Sequence, residues 1–250
     1  MGASLHLFRN TDVDMPGGRT AILFFSHRPE REWQNKQFVR GDYATHRQVA
    51  TAFYEHSRRA VENSGLPVVE VNGAQQRGDD FGTRLANAVA DVFAKGYDRV
   101  IAVGSDCPRL HEVDWGEVTA RLERGAAVLG PTPDRDGVYL IGLSRTQFDR
   151  QSFAALPWKT PALGPALTKH LLEQGARHPV SLAPRGDVNH QGDLAALLRD
   201  ERAHSSLLVR LRAALGAACP AARTRTRSSQ RAVRTGRPRA PPARHVLRCP

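Results

Sequence analysis

Three acidic stretches of the sequence carry side chains that could bind a metal ion and a phosphorylated substrate. They contain, in chain order, Asp106, Asp134, Asp136, Asp187 and Asn189. Hard divalent ions such as Mg²⁺ and Mn²⁺ prefer carboxylate and amide oxygens, commonly one or two carboxylates together with substrate phosphates. Asp106 and Asp187 would form such a pair if the segments that carry them converge.

Asp106 follows an apolar run that is typical of a central parallel strand. The run is Val100–Val103 in VIAVGSDCPRL, and Gly104 and Ser105 then allow a turn. Pro108 prevents the chain from continuing directly into a helix. Because ligands of open α/β sheets bind at the carboxyl ends of the strands, Asp106 is a candidate ligand-binding residue. The alternative is that its carboxylate caps a helix beginning near Glu112, or closes a turn.

The segments around these acids alternate between strand and helix patterns. The strands are predicted at TAILFF, LPVVEVN, DRVIAVGSD, AAVLGP and VYLIGLS. The clearest helix has one apolar stripe, formed by Phe81, Leu85, Ala88, Val89, Val92 and Phe93. Further helices are predicted at 45–63, through Val118 and Leu122, and at the leucines 163–171, 194–198 and 207–215. This order predicts a single-domain α/β fold with a mostly parallel central sheet and helices on both faces.

The positive charge of the chain is concentrated at one end. Nine of the 36 basic residues and none of the 25 acidic residues lie in 216–250, so the rest carries 27 basic against 25 acidic residues. That tail is rich in Arg, Pro and Ala and shows no period, which predicts disorder. The predicted organisation is an extension at 1–19, a domain at 20–203, an appended helix at 204–215 and the tail at 216–250.

Composition narrows the class of protein further. The three cysteines, Cys107, Cys219 and Cys249, have no spacing typical of a disulfide framework or metal site, which favours a reducing cytoplasm. No apolar stretch approaches the roughly 20 residues that span a bilayer. The tail lacks aromatic residues for base stacking, so no specific nucleic-acid binding is expected. Dinucleotide, P-loop, zinc-protease and hydrolase-elbow signatures are absent, and a packed thiol is favoured over a nucleophile for Cys107.

Four motifs together resemble a known family. GDDFGTRLANAVADVFAKGYDRVIAVGSDCPRL, AAVLGPTPDRDGVYLIGL, LPWKTP and RGDVNHQGDL occur in this order within residues 20–200. They are similar to the bacterial glycosyltransferase A-like proteins often labelled arsenosugar-biosynthesis glycosyltransferases. The resemblance implies a nucleotide-diphospho-sugar transferase fold, a nucleotide-sugar donor, a small-molecule acceptor and Mg²⁺ or Mn²⁺ as cofactor.

The resemblance also assigns roles to individual residues. Asp106 matches the metal-binding acid at the end of the central strand, and Asp187 and Asn189 match the segment of a second metal ligand. The residues that it implies for substrate are Arg84, Asp136, Gly137, Tyr139, Trp158 and Thr160. An ion pair of Arg84 with Asp80 or Asp91 is an equal alternative, and packing against the sheet is favoured for Trp158.

The sequence departs from this family after the first strand. Its loop, SHRPEREWQNKQFVRGD, lacks the glycine and the KTR order of the family's nucleotide loop. It keeps four basic residues, Arg28, Arg31, Lys36 and Arg40, of which Arg28 and Lys36 are predicted to bind substrate.

The resulting hypothesis is a metal-dependent sugar transfer. The metal would be held by Asp106 with Asp187, Arg84 and Lys36 would share the charge of the diphosphate, and Asp136 would act as general base. One alternative is a nucleotidyltransferase with the same fold, and another is a non-catalytic binding protein that kept the fold. A third, nucleic-acid binding through the Arg-rich tail, predicts an affinity that falls steeply with salt.

Overall fold

A six-stranded sheet forms the centre of the described part of the chain. The computed structural model describes residues 18–32, 36–39, 42–133, 137–200 and 202–217. Within them the strands are β1 Thr20–Ser26, β2 Val68–Asn72, β3 Arg99–Val103, β4 Val128–Pro131, β5 Val138–Ser144 and β6 Val180–Ser181. Their order across the sheet is β2-β1-β3-β5-β4-β6.

Strand β5 runs against its two neighbours. The pairs β1–β2, β1–β3 and β4–β6 are parallel, whereas β5 pairs antiparallel with both β3 and β4. In this register Val103, the last residue of β3, lies opposite Leu140 near the beginning of β5. The carboxyl ends of β1 and β3 and the amino end of β5 therefore meet at one edge of the sheet.

Helices cover both faces of this sheet. They are α1 Pro29–Glu32, α2 Tyr43–Glu62, α3 Phe81–Ala94, α4 Trp115–Glu123, α5 Arg150–Ala154, α6 Leu163–Glu173, α7 Gln191–Leu197 and α8 Ser205–Ala217. Helix α3 illustrates why they form where they do. The Asp80 carboxylate accepts a hydrogen bond from the Thr83 N–H and caps the helix, and the apolar stripe beyond it is buried.

Each face of the sheet has its own apolar core, because successive side chains of a strand point to opposite faces. On one face, α3 and α6 pack against Leu23 and Val100. On the other, α4 and residues of α2 pack against Ile22 and Ile101. The continuous apolar runs of β1 and β3 are thus explained by burial on both sides.

A third cluster of buried side chains, called here the lateral cluster, joins distant parts of the chain. It includes Phe38 from the loop before α2, Phe53 from α2, Val188 from the loop before α7, and Leu207 and Leu211 from α8. Phe38 stacks on His46 with the ring centroids 5.1 Å apart. The lateral cluster therefore holds two loops in place.

The predicted fold class is confirmed within the described residues. The predicted strand VYLIGLS coincides with β5, and the apolar stripe of α3 faces the core. The direction of β5 and the short elements α1 and α5 were not predicted. The predicted extension at 1–19 falls largely outside the described residues, and the tail at 216–250 almost wholly so.

None of the helices in the described ranges combines the length and the apolar character that crossing a bilayer requires.

Two glycines at equivalent helix positions offer a test of the packing. Gly82 and Gly116 are the second residues of α3 and α4. A Cβ at Gly82 would lie 2.3 Å from the Ala154 carbonyl oxygen and 2.4 Å from Trp158 Cδ1, whereas at Gly116 the nearest atom is Asp114 Oδ1 at 3.4 Å.

We expect Gly82→Ala to lower the free energy of unfolding by about 1–3 kcal/mol, because the added methyl overpacks the contact with α5 and Trp158. Gly116→Ala should leave it unchanged or raise it slightly, since alanine favours helix over glycine. Urea unfolding of both variants measures the difference, and equal effects would contradict the packing described for Gly82.

Candidate functional site

An ion pair marks the edge of the sheet where β1, β3 and β5 meet. The Lys36 ammonium lies 2.9 Å from Asp106 Oδ2 and 3.7 Å from Glu32 Oε1. The side chains of Lys36 and Glu32 are each 10% exposed and that of Asp106 is 31% exposed. The site thus combines one buried cation, one buried carboxylate and one carboxylate that solvent reaches.

Three separate stretches of backbone converge at this ion pair. The Val188 N–H donates to the Asp106 carbonyl oxygen at 3.0 Å, and Lys36 Nζ donates to the Val188 carbonyl oxygen at 3.4 Å. The Gln37 N–H donates to the Asn189 carbonyl oxygen at 3.1 Å. Asp106, the loop of Lys36 and the segment 187–189 are therefore brought together, and a metal ion shared by Asp106 and Asp187 stays a prediction.

The charges in the site depend on one another. Burial by itself would lower the pKa of Lys36, but the carboxylates of Asp106 and Glu32 outweigh it and raise that pKa. Burial would raise the pKa of Asp106, but the Lys36 ammonium holds it below its ordinary value. For Glu32, burial prevails over the attraction of Lys36, and its pKa is raised. Two carboxyl groups with opposite pKa shifts thus flank one lysine.

Basic side chains gather at the carboxyl end of β1. Burial, followed by the positive charges of Arg84, Lys159, Lys36 and Arg31, lowers the pKa of His27. The Lys159 ammonium lies over the ring of Phe81 at 5.1 Å from its centroid, and Lys159 has a left-handed backbone with φ of 61°. A non-glycine residue in that conformation is uncommon and is concentrated at functional sites.

Arg84 and Arg28 are both held by polar contacts near this edge. The Arg84 guanidinium donates to the Asp79 carbonyl oxygen at 3.1 Å rather than pairing with Asp80, and Asp91 pairs with Arg77 instead. The Arg28 Nε donates to Asn72 Oδ1 at 2.9 Å, at the end of β2. The predicted surface ion pair of Arg84 is therefore not formed among the described residues.

Two further predicted residues lie near Asp187 in space or in the chain. Gly137 lies close to Asp187, since a Cβ built on it would be 4.0 Å from Asp187 Oδ2. The Asn189 N–H donates to Asp193 Oδ2 at 2.9 Å, which fixes the start of α7. Asp134 and Asp136, including the predicted general base, lie outside the described residues.

Three predicted substrate-binding residues make their contacts within the fold. Tyr139 is 3% exposed and donates its hydroxyl to the Ala183 carbonyl oxygen. Trp158 packs edge-on against Phe81 and Phe153, and its indole N–H donates to the Phe153 carbonyl oxygen. Thr160 is exposed and donates to the Pro157 carbonyl oxygen. Among the described residues, none of these three contacts the ion pair. Their roles in substrate binding stay predictions.

The contacts of Asp106 and the burial of Cys107 bear on two alternatives that the sequence offered for these residues. Asp106 does not cap a helix, since the cap of α4 is Asp114, whose Oδ1 accepts from the Glu117 N–H. Cys107 is buried, and burial raises the pKa of its thiol to about 12. A thiol with that pKa is protonated at neutral pH and is a poor nucleophile.

The donor chemistry of the site fits a hard divalent ion in part. Asp106 and Asp187 supply carboxylate oxygens, and such ions often take one or two carboxylates and complete their shell with phosphate and water. In the described ranges no group of three His, Cys, Asp or Glu side chains could hold a metal ion. The protein would therefore supply only part of the ligand shell, and Lys36 would share the Asp106 carboxylate with the ion.

Sequence reasoning missed Glu32 and His27, whereas Lys159 lies in the LPWKTP motif that it had singled out. Glu32 is 7% exposed, and its Oε2 has no hydrogen-bond partner among the described residues. PEREWQNK consists mostly of charged and polar residues and has no apolar period. No sequence pattern therefore indicated that Glu32 is buried. His27 directly follows β1, and its place after a buried strand was the available signal.

Comparison with known proteins supplies a family. Residues 22–160, more than half of the chain, match the family described as "Uncharacterized protein conserved in bacteria (DUF2064)". No curated protein matches the chain significantly.

Solved structures supply the fold. A protein from Desulfovibrio desulfuricans G20, provisionally described as a nucleotide-diphospho-sugar transferase, is 23% identical with a TM-score of 0.60, over 79% of this chain and 95% of that one. Rv0371c from Mycobacterium tuberculosis H37Rv is 18% identical with a TM-score of 0.40, over 74% and 100%. Its homologue from Mycobacterium sp. strain JC1 is 16% identical with a TM-score of 0.38, over 78% and 98%. The first of these confirms the fold that the motif resemblance implied.

The ion pair can be tested by removing one partner. We expect Lys36→Met to lower the free energy of unfolding by about 2–4 kcal/mol, because it leaves two carboxylates without their counter-ion. The double variant Lys36→Met/Asp106→Asn should lose less, since one of those charges is gone. Urea unfolding measures both.

Lys169→Met is the matched control, because Lys169 forms an ion pair with Glu173 at the surface. The side chains of Lys169 and Glu173 are 78% and 60% exposed. Its expected effect is below about 0.5 kcal/mol. A Lys36→Met protein as stable as Lys169→Met would contradict the buried ion pair.

Proposed function

Because the chain belongs to the DUF2064 family and has the fold of a nucleotide-diphospho-sugar transferase, we propose that it moves a sugar from a nucleotide-diphospho-sugar to a small-molecule acceptor. The acceptor supplies a hydroxyl group and the nucleoside diphosphate leaves. A shared fold does not by itself specify function, and the charged groups of the site are the second support for the proposal.

One observation carries the proposal. Lys159 lies over the ring of Phe81, which packs edge-on against Phe25 of β1. Lys36 lies 2.9 Å from Asp106 Oδ2, so cationic side chains and a carboxylate share this end of the sheet. Besides burial, the charges of Arg84, Lys159 and Lys36 lower the pKa of His27 in the same region. A diphosphate needs several cations close together, and a site that combines them with one or two acids suits a metal-bridged diphosphate. The edge of an α/β sheet is also where such folds bind nucleotides.

Each group has a role that follows from its chemistry. Arg84 and Lys36 bind the diphosphate and stabilise the negative charge that grows on it as the glycosidic bond breaks. Arg28, held by Asn72, extends the cationic surface toward the end of β2. Asp136 accepts the proton of the acceptor hydroxyl, and the backbone of Gly137 leaves room for the substrate beside Asp187.

Mg²⁺ or Mn²⁺ is part of the proposal. Asp106 and Asp187 would hold the ion, with Asn189 as a neighbouring amide. When bound, it supplies positive charge to the diphosphate of the donor. Lys36 already donates a hydrogen bond to Asp106 Oδ2. Its ammonium group has three N–H donors, so it would also donate to the phosphate oxygens.

Calorimetric titration of the full chain with UDP-, GDP-, ADP- and dTDP-sugars, with and without Mn²⁺, tests the proposal. We expect one nucleotide-sugar to bind more tightly with metal present. Arg84→Gln should weaken that binding about ten-fold or more, because a charge-assisted hydrogen bond to phosphate is lost.

Arg124→Gln removes the same charge from the exposed carboxyl end of α4 and should bind the donor as the unaltered chain does. Metal-dependent binding of a nucleoside triphosphate instead of a nucleotide-sugar would indicate a nucleotidyltransferase. Binding of neither would indicate a protein that kept the fold without the donor site.

A further inference from the structure

A cavity of 210 Å³ lies between α2, the 3₁₀ turn Leu110–Glu112 and the start of α8. One ordered water needs roughly 10–15 Å³ of such space, so the cavity can hold a larger molecule. None of the residues that line it belongs to the candidate site. The polar residues of its lining include His56, Arg59, Asn63, His111, His204 and Arg210.

The cavity carries positive charge that the described residues do not neutralise. Arg59 and Arg210 contribute guanidinium groups, and no Asp or Glu lines the cavity. Within the described ranges neither guanidinium has an ion pair, whereas the adjacent Arg58 binds Glu62 at 3.0 Å. The two arginines are therefore available to an anionic ligand.

Three imidazole rings form one wall beside these arginines. The ring centroids of His111 and His204 are 4.6 Å apart, and each lies 5.2 Å from that of His56. His56 is 7% exposed, and its Nε2 lies 2.8 Å from the Pro108 carbonyl oxygen. His111 Nδ1 is buried and has no hydrogen-bond partner among the described residues.

Two of these histidines, His56 and His111, are uncharged at neutral pH. Burial is the main cause, lowering the pKa of His56 to about 4 and lowering that of His111 as well. A neutral ring has one N–H to donate, and that of His56 is held by the Pro108 carbonyl oxygen, so only the other rings of the wall can donate to an oxygen ligand. Neutral rings also avoid repulsion with Arg59 and Arg210.

A metal ion does not suit this cavity. Over the described ranges no group of His, Cys, Asp or Glu side chains is arranged to hold one. The two guanidinium groups would also repel a cation. An oxyanion, in contrast, would form charge-assisted hydrogen bonds with the arginines. We propose that the cavity is a second binding site, which takes the phosphate group of a phosphorylated small molecule.

Titration of the full chain with inorganic phosphate, at constant ionic strength set with chloride, tests this site by calorimetry. Arg59→Gln/Arg210→Gln should weaken phosphate binding about ten-fold or more, because charge-assisted hydrogen bonds are lost. Arg47→Gln/Arg124→Gln is the control, since it removes the same charge from two exposed arginines outside the cavity, one of them also on α2. The control should bind phosphate as the unaltered chain does.

Two further measurements separate this site from the donor site. Arg84→Gln should keep the phosphate binding that Arg59→Gln/Arg210→Gln loses, and the imidazole NMR signals of His56 and His111 should shift as phosphate is added. Loss of binding in Arg84→Gln but not in Arg59→Gln/Arg210→Gln would overturn the proposal. So would imidazole signals that respond to Zn²⁺ and not to phosphate.

Discussion

The burial of the Lys36 ammonium is the constraint around which the site is arranged. A lysine loses hydration energy when it is buried, and it stays charged only where carboxylates face it. Asp106 and Glu32 meet that need from two different elements, a loop after β3 and the short helix α1. Their positions are therefore coupled, since moving either one would leave a buried charge without its partner.

The segment that follows β3 links the candidate site to the second cavity. Asp106 at its start meets Lys36, while the Pro108 carbonyl oxygen contacts His56 and the Ser105 carbonyl oxygen accepts from Ser57 Oγ at 3.1 Å. Residues 105–108 are therefore in contact with α2 on one side and with Lys36 of the ion pair on the other. A ligand that moved this segment from one side would alter the geometry on the other.

Much of the fold could be predicted from the sequence, because burial on both faces produces apolar runs that are easy to read. β3, β5 and the stripe of α3 were of this kind. The direction of β5 could not be predicted, since an antiparallel strand buried on both faces has the same apolar run as a parallel one. Within the site, the place of Asp106 at a strand end was predicted and Lys36 was named as a site residue, whereas the ion pair between them was not predicted. Lys36 lies in a polar loop, where lysine is ordinarily exposed.

The lateral cluster has a consequence for the evolution of the protein. Phe38 is two residues from Lys36, and Val188 lies between Asp187 and Asn189, yet both pack in the cluster that contains Leu207 and Leu211 of α8. The volume available to these two loops is thus shared with a helix far along the chain. In related sequences, a change of size at 207 or 211 should be accompanied by an opposite change at 38 or 188. Selection that acts on the candidate site then also constrains the size of buried residues in α8, through packing alone.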